Sequence, residues 1–382
     1  MHYRTALFIL LLALLAGLLG YNYYAKPFAQ LQPVVELMQP TPTPPVTEDP
    51  AAAILANLST QEKVAQLIAF PLNLSTAEST ISADLDWVRL HQPGVVTLFG
   101  NQISTSSAQA AVAEIKTESA LHQPLVAVDH EGGSVQRLSG AGFTQLPSWQ
   151  QLCNLAENER EEWLSSSAQE LQAAGIDIVF APVVDVASSS SSLGNRICSS
   201  DPEVIIARAG ELIEQYANYQ LLPVLKHFPG IGSARTDLHF NFARVELTEA
   251  DLIVYQRLLS QYDYLGVMTT HVGIVNRFDE VPCSLNRTCL QDLTTNFNST
   301  LIFTDALDMA AAGHQAETAE LKSLPVRAEE ALRAGNDVLV FGPLVSSQEI
   351  DEVMAQLILN YEQDETFKER VDESVKKILS YQ

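Results

Sequence analysis

The sequence is poor in positive charge. Lys and Arg number 22 against 46 Asp and Glu, a formal net charge of −24. That balance excludes a nucleic-acid partner, because phosphate binding needs clustered Lys and Arg. It also disfavours docking on an anionic membrane surface, and reads as solubility in an exposed environment. No G-x-G-x-x-G turn follows the first apolar run, which argues against an open doubly wound dinucleotide-binding sheet. His227, Asp237 and His239 lie along one loop without further convergent donors, so no metal site is indicated. Cysteine is scarce. The four residues fit an oxidising compartment without requiring one. Cys283 and Cys289 are placed to close a small loop, with Cys153 and Cys198 as a second pair; four buried free thiols are the alternative.

What is present begins with the N-terminus. Arg4 precedes an unbroken apolar run from Ala6 to Gly20, followed by Tyr21, Tyr23 and Tyr24. A short positive segment before an apolar stretch is an export signal. Residues 1–26 are therefore read as a signal peptide or an N-terminal membrane anchor, with a buried core helix as the plain alternative. No Cys follows the run, which argues against a lipoprotein anchor, and Ala25 is a poor cleavage context, which tips the balance from a cleaved signal toward an uncleaved anchor. The expected placement is the outer face of the cytoplasmic membrane, or the periplasmic or extracellular space. Residues 27–50 hold Pro33, Pro40, Pro42, Pro44, Pro45 and Pro50 and read as a Pro-rich linker. Globular sequence spans 51–382, and Ser59 with Glu62 has capping-box spacing for a first helix.

From there short β-rich runs alternate with amphipathic stretches. The candidate strands are 63–70, 94–100, 124–131, 177–186, 221–228, 265–272, 299–306 and 336–342. Most are near-continuous apolar runs, as in strands covered on both faces. SAQAAVAEIKTES and DPEVIIARAGELIEQYANY are examples of the helices between them. Eight such units predict an α/β protein with a single (β/α)8 barrel.

Ionisable residues gather at the strand ends. Asp129 and Glu131 end the third candidate strand, Asp185 the fourth, Lys226 and His227 the fifth, His271 the sixth and Asp305 the seventh. The C-terminal strand ends of a barrel converge on one mouth, where active sites form. Helix capping explains one such residue readily but not a series. After the fifth strand, Pro229, Gly230 and Gly232 force a loop, and Asp237 and His239 follow two residues apart. In extended chain, side chains at i and i+2 point the same way. A carboxylate beside an imidazole orients the ring and raises its basicity, which suits proton transfer near neutral pH. A surface Asx-turn with an incidental His is the plain alternative.

The stretch KHFPGIGSARTDLHF (226–240) resembles the K-H-F-P-G-H-G…D-S-H loop of the bacterial β-N-acetylglucosaminidases of glycoside hydrolase family 3. Three further stretches match in order. VAVDHEGGSVQRL (126–138) is similar to D-Q-E-G-G-R-V-Q-R, PVVDVASSSSSLGNR (182–196) to V-V-D-V…G-x-R, and LIFTDALDM (301–309) to F-S-D-D-L-x-M. AEEALRAGNDVLVF resembles the last barrel unit, so the likeness spans roughly residues 52–380.

The resemblance implies a retaining, two-step hydrolysis of terminal β-linked N-acetylglucosamine, from peptidoglycan fragments or related glycans. It assigns Asp305 as nucleophile, His239 as acid/base and Asp237 as the residue that orients it. Asp129, Arg137, Arg196, Lys226 and His227 are the expected sugar-binding residues, with Glu131 and His271 in support. The plain alternative for Asp305 is a helix N-cap. For Arg196 and Lys226 it is an ion pair with Asp185 or another strand-end acid. No cofactor is implied, and oligomeric state is open. Ile231 stands where the family usually has His, Ser233 where it often has Asp, and Ala306 replaces a second Asp. His130 and Ser134 replace Gln and Arg, and the Ser run 188–192 replaces an Asn/Pro-rich loop. The lack of a second domain after the barrel favours the branch with a His on the loop. Two other readings stand beside hydrolysis. One is phosphorolysis, since a neutral His does not repel phosphate. The other is a non-catalytic glycan-binding barrel on the cell surface.

Overall fold

The computed structural model describes residues 49–382 apart from 117–121, 188–190, 276, 279, 317 and 319. The expected leader (1–26) and nearly all of the expected linker lie outside the described residues. Among the described residues no helix is long and apolar enough to cross a membrane. Pro50, read as the end of the linker, instead opens a helix (Pro50–Leu55) capped by Asp49. Proline fits this first helical position because its missing N–H would have no helical partner there.

Eight parallel strands form one sheet: β1 (Ile68–Asn73), β2 (Val95–Phe99), β3 (Leu125–Val128), β4 (Ile178–Val179), β5 (Leu222–Phe228), β6 (Gly266–Thr269), β7 (Leu301–Thr304) and β8 (Leu339–Val340). The order runs β7-β6-β5-β4-β3-β2-β1-β8. A parallel bridge between Phe303 and Val338 joins the two ends. The sheet is therefore a closed (β/α)8 barrel. Each strand is followed by a helix: α1 (Glu78–His91), α2 (Thr105–Ile115), α3 (Glu157–Ala173), α4 (Pro202–Ala217), α5 (Glu249–Gln261), α6 (Arg287–Asn296), α7 (Leu324–Ala334) and α8 (Ser347–Gln363). A final helix, α9 (Glu365–Leu379), packs behind α8.

Local chemistry sets the element ends. Ser104, Asp201 and Asn286 cap α2, α4 and α6 by accepting backbone N–H bonds. Thr248 with Asp251, and Ser346 with Glu349, form reciprocal capping boxes on α5 and α8. The strands are buried almost throughout because helices cover them outside and side chains fill the barrel inside. Phe180 meets Phe303 edge-on, ring centroids 5.6 Å apart. Burying each such ring contributes about 1.5–3 kcal/mol.

Two readings are corrected by the structure. Residues 63–66 of the first candidate strand belong to the helix Thr60–Gln66, which the predicted Ser59–Glu62 capping box does start. The run 177–186 forms only Ile178–Val179 as a strand, with Val183 bridging to Lys226 beyond it. Both cysteine pairs, Cys153–Cys198 and Cys283–Cys289, are disulfides.

Candidate active site

The mouth at the C-terminal strand ends holds every candidate residue. Asp129 follows β3, and a short antiparallel hairpin (His130–Gly132 with Val135–Gln136) continues from it. Alternation along extended chain turns Asp129 and Glu131 to one side and His130 to the other. Lys226, inside β5, donates to Asp129 at 2.9 Å and pairs with Glu131 at 2.5 Å. Arg196 grips Glu131 with two hydrogen bonds, 2.8 and 2.9 Å. Its guanidinium also lies 3.3 Å from the His227 ring. Arg137 approaches Asp129 at 3.5 Å. The five candidate binding residues thus join in one network whose central acid, Glu131, was read only as a support. Arg196 and Lys226 are indeed ion-paired with acids at the strand ends. The acids are Glu131 and Asp129, while Asp185 serves His227 instead.

Burial opposes every charge in this network, and the partners outweigh it. Burial pushes the Asp129 carboxyl up, but Lys226, Arg137 and Arg196 hold it at about 2. Glu131 is lowered by Lys226 and Arg196 against the same burial. Burial works against the cationic form of Lys226, yet Asp129 and Glu131 leave its pKa raised. Arg196 is raised in the same way, chiefly by Glu131. All four therefore stay ionised near neutral pH. They form a fixed set of dipoles and charges suited to hydroxyl and amide groups of a sugar.

Asp185 accepts from the His227 ring at 2.8 Å, from its backbone N–H at 3.2 Å and from the Ile231 N–H at 2.7 Å. One carboxylate thereby fixes both the imidazole and the start of the loop after β5. Gly232 lets that loop pack on its neighbour, since a Cβ there would lie 2.0 Å from the Val186 carbonyl oxygen. Ile231, in place of the family's His, is buried.

Further along the loop, Asp237 accepts from the His239 ring Nδ1 at 2.7 Å and from its backbone N–H at 2.9 Å. The pairing occurs in a turn rather than extended chain. Burial raises the Asp237 carboxyl, but the His239 bonds and the field of Arg196 leave it lowered. With Nδ1 engaged, His239 Nε2 is left for another partner. Both side chains are exposed.

Asp305 follows β7. Its backbone N–H donates to Thr269 at 2.8 Å, and its carboxylate accepts the Ala306 N–H at 2.8 Å. Among the described residues no cation pairs with this carboxylate, and it is half-buried. The N-cap alternative does not apply, because α7 begins only at Leu324. His271 sits beneath, held by Ser284 at 2.6 Å and reaching the Ala306 carbonyl at 3.1 Å. The loop of His239 meets the segment of Asp305 directly. Ala310 N–H donates to the His239 carbonyl and Ala311 N–H to that of Leu238, both at 3.2 Å. Among the described residues no group of three or more His, Cys, Asp or Glu is arranged to hold a metal ion.

The sequence profile described as "Glycosyl hydrolase family 3 N terminal domain" matches residues 59–381. A protein named β-hexosaminidase from Tolumonas auensis is 33% identical over 285 residues, covering 71% of this chain and 82% of the relative. One of the same name from Nitrosomonas eutropha is 32% identical over 302 residues, covering 73% and 83%. Among solved structures, M tuberculosis LpqI superposes with a TM-score of 0.74 at 27% identity, covering 87% of this chain and 96% of that one. Profile, relatives, barrel and strand-end chemistry agree: the chain belongs to glycosyl hydrolase family 3 and is a glycoside hydrolase.

Proposed function

We propose that the protein is a retaining exo-β-N-acetylhexosaminidase that removes terminal β-linked N-acetylglucosamine through a covalent intermediate on Asp305. The observation that carries this reading is the meeting of two loops. A carboxylate that no cation pairs with among the described residues stands on one, and an imidazole backed by a carboxylate stands on the other. In the first step an Asp305 oxygen bonds to the anomeric carbon as its bond to the leaving oxygen breaks. His239 Nε2–H gives its proton to that leaving oxygen. In the second step water attacks the same carbon, its proton passes to His239, and Asp305 is released. Asp237 holds the ring through Nδ1 and stabilises the charged imidazole. Asp129, Arg137, Arg196, Lys226 and His227 bind sugar hydroxyls and the N-acetyl group.

A chromogenic β-N-acetylglucosaminide, offered with and without phosphate, tests the reading. Hydrolysis unaffected by phosphate is expected. Sugar phosphate as product would make the enzyme a phosphorylase, and sugar binding without turnover would make it a binder. Asp305→Ala should lower kcat by several orders of magnitude. Wild-type activity in that variant removes Asp305 from the nucleophile role.

The substrate proposed in the cell is peptidoglycan fragments, met outside the cytoplasm. The apolar run at Ala6–Gly20 and two disulfides support export. Fusing residues 1–50 to a phosphatase active only outside the cytoplasm should give an active reporter, and an inactive one overturns the placement.

A further inference from the structure

The segment from Asp305 to His314 is anchored along its length. His271 holds the Ala306 carbonyl at 3.1 Å. Arg327 Nη1 donates to the carbonyls of Leu307 and Met309, at 2.7 and 3.3 Å. The next two residues, Ala310 and Ala311, donate to the loop of His239. At the far end the His314 ring lies flat on Phe242, centroids 3.8 Å apart and planes 4° from parallel. Phe242 belongs to the His239 loop, three residues after the imidazole. Arg244, two residues further, lies 5.7 Å over the Phe242 ring and pairs with Glu280 at 2.5 Å. His314 Nε2 stands 3.4 Å from the other Glu280 oxygen.

We propose that His314 is a positioning residue whose stack on Phe242 holds the His239 loop over Asp305. The inference rests on His239 being the acid/base. Asp237, His239 and Phe240 are exposed, so side-chain packing at the tip contributes little to placing the imidazole. The base of the loop is tied down by Ile231 N–H to Asp185 at 2.7 Å and by the Ala234 and Ala243 carbonyls, which accept from Ser192 and Gly273 at 2.9 Å. Its tip is held by the buried Leu238, by two backbone bonds of 3.2 Å and by the stack. One anchored segment thus carries the nucleophile at one end and meets the tip of the acid's loop along the rest of its length. Both the Asp305 carbon and the Phe242 platform are referenced to it.

Proton donation matters most when the leaving group is poor. A dinitrophenolate departs without a proton, whereas a phenolate or a sugar alkoxide needs one. kcat/KM on phenyl and 2,4-dinitrophenyl β-N-acetylglucosaminides reports the first step for each. His314→Ala should lower kcat/KM about tenfold or more on the phenyl substrate and about twofold or less on the dinitrophenyl one. His314→Phe keeps a ring against Phe242 and should restore most of the loss. Equal losses on both substrates, no loss on either, or failure of Phe to rescue would each overturn the proposal. His239→Ala is the control. If it lacks the leaving-group dependence, the assignment of the acid/base fails first. If the wild-type enzyme cleaves neither substrate, the proposed activity itself fails.

Discussion

His130 stands between Asp129 and Glu131 but faces away from both of their cations. Its ring is buried, and neither nitrogen has a protein partner among the described residues. Burial alone draws its pKa down from 6.5 to about 3. In the unfolded chain the ring takes a proton near pH 6.5, while in the fold it refuses one until about pH 3. Its contribution to stability is thus fully present above pH 6.5 and is lost as pH falls toward 3. At pH 5 the loss amounts to about 2 kcal/mol, from ~1.5 pH units at 1.36 kcal/mol each. His130→Gln, which carries no titrating proton, should lose about 2 kcal/mol less between pH 7 and pH 5 in denaturant unfolding. An unchanged pH slope would show that the ring is protonated or solvated in the fold. At this scale the sequence was informative where residues recur in a motif. Asp129, Lys226, Arg196 and the Asp237–His239 pair were readable that way. His314 and Phe242 were not, because only chain folding brings a lone His against a lone Phe. Glu131 was visible as a support, but its two cations were not, since they arrive from other barrel units.

Among the elements, α9 shows how the barrel is closed from behind. Asp337, just before β8, is fully buried and accepts from Arg370 at 2.8 Å, Ser374 at 2.9 Å and Lys377 at 2.7 Å. These three residues lie at i, i+4 and i+7, one face of the helix. The same carboxylate accepts the Ile302 N–H of β7 at 3.0 Å. Burial raises Asp337, but Lys377 and Arg370 leave it lowered. Asp337→Ala would take the shared carboxylate from two cations, which keep backbone acceptors, and the acceptor from a strand N–H, so a loss of about 2–3 kcal/mol in unfolding free energy is expected. The site lies at the opposite end of the barrel from the mouth. KM at a temperature where the variant stays folded should therefore match the wild type. A raised KM would mean that the closure reaches the site. The strand runs themselves were legible because buried parallel strands are apolar on both faces. The errors fell where that signal is ambiguous. Val64 and Ala65 lead into the apolar run Leu67–Phe70 and lengthen it on paper, but the Ser59–Glu62 capping box makes Thr60–Gln66 a helix. The run at 177–186 is apolar because it stays buried beside β5, but beyond Val179 its bonding to β5 is intermittent, and Pro182 has no N–H to donate.

For the molecule as a whole, the two disulfides act mainly on the unfolded chain, and unequally. Cys153 and Cys198 are 45 residues apart, Cys283 and Cys289 only 6. Loop-closure entropy grows with the logarithm of that separation, giving about 4 kcal/mol for the first bond and about 2 kcal/mol for the second. With an unfolding entropy of about 2.1 cal/mol/K per residue over the barrel, those values correspond to melting shifts of about 6 °C and about 3 °C. The Cys153→Ser/Cys198→Ser pair should therefore lower Tm about twice as far as Cys283→Ser/Cys289→Ser. Position adds a second difference. Cys198 lies two residues beyond Arg196, so the long-range bond also tethers the turn (Gly194–Arg196) that presents the guanidinium to Glu131. Removing it should raise KM for the sugar at temperatures far below melting. The short-range pair flanks Ser284, the partner of His271, and lies on the Asp305 side of the mouth. Its loss should lower kcat more than it raises KM. Equal Tm shifts with unchanged kinetics would show that the staples constrain neither the unfolded chain nor the mouth as the loop lengths and neighbours require.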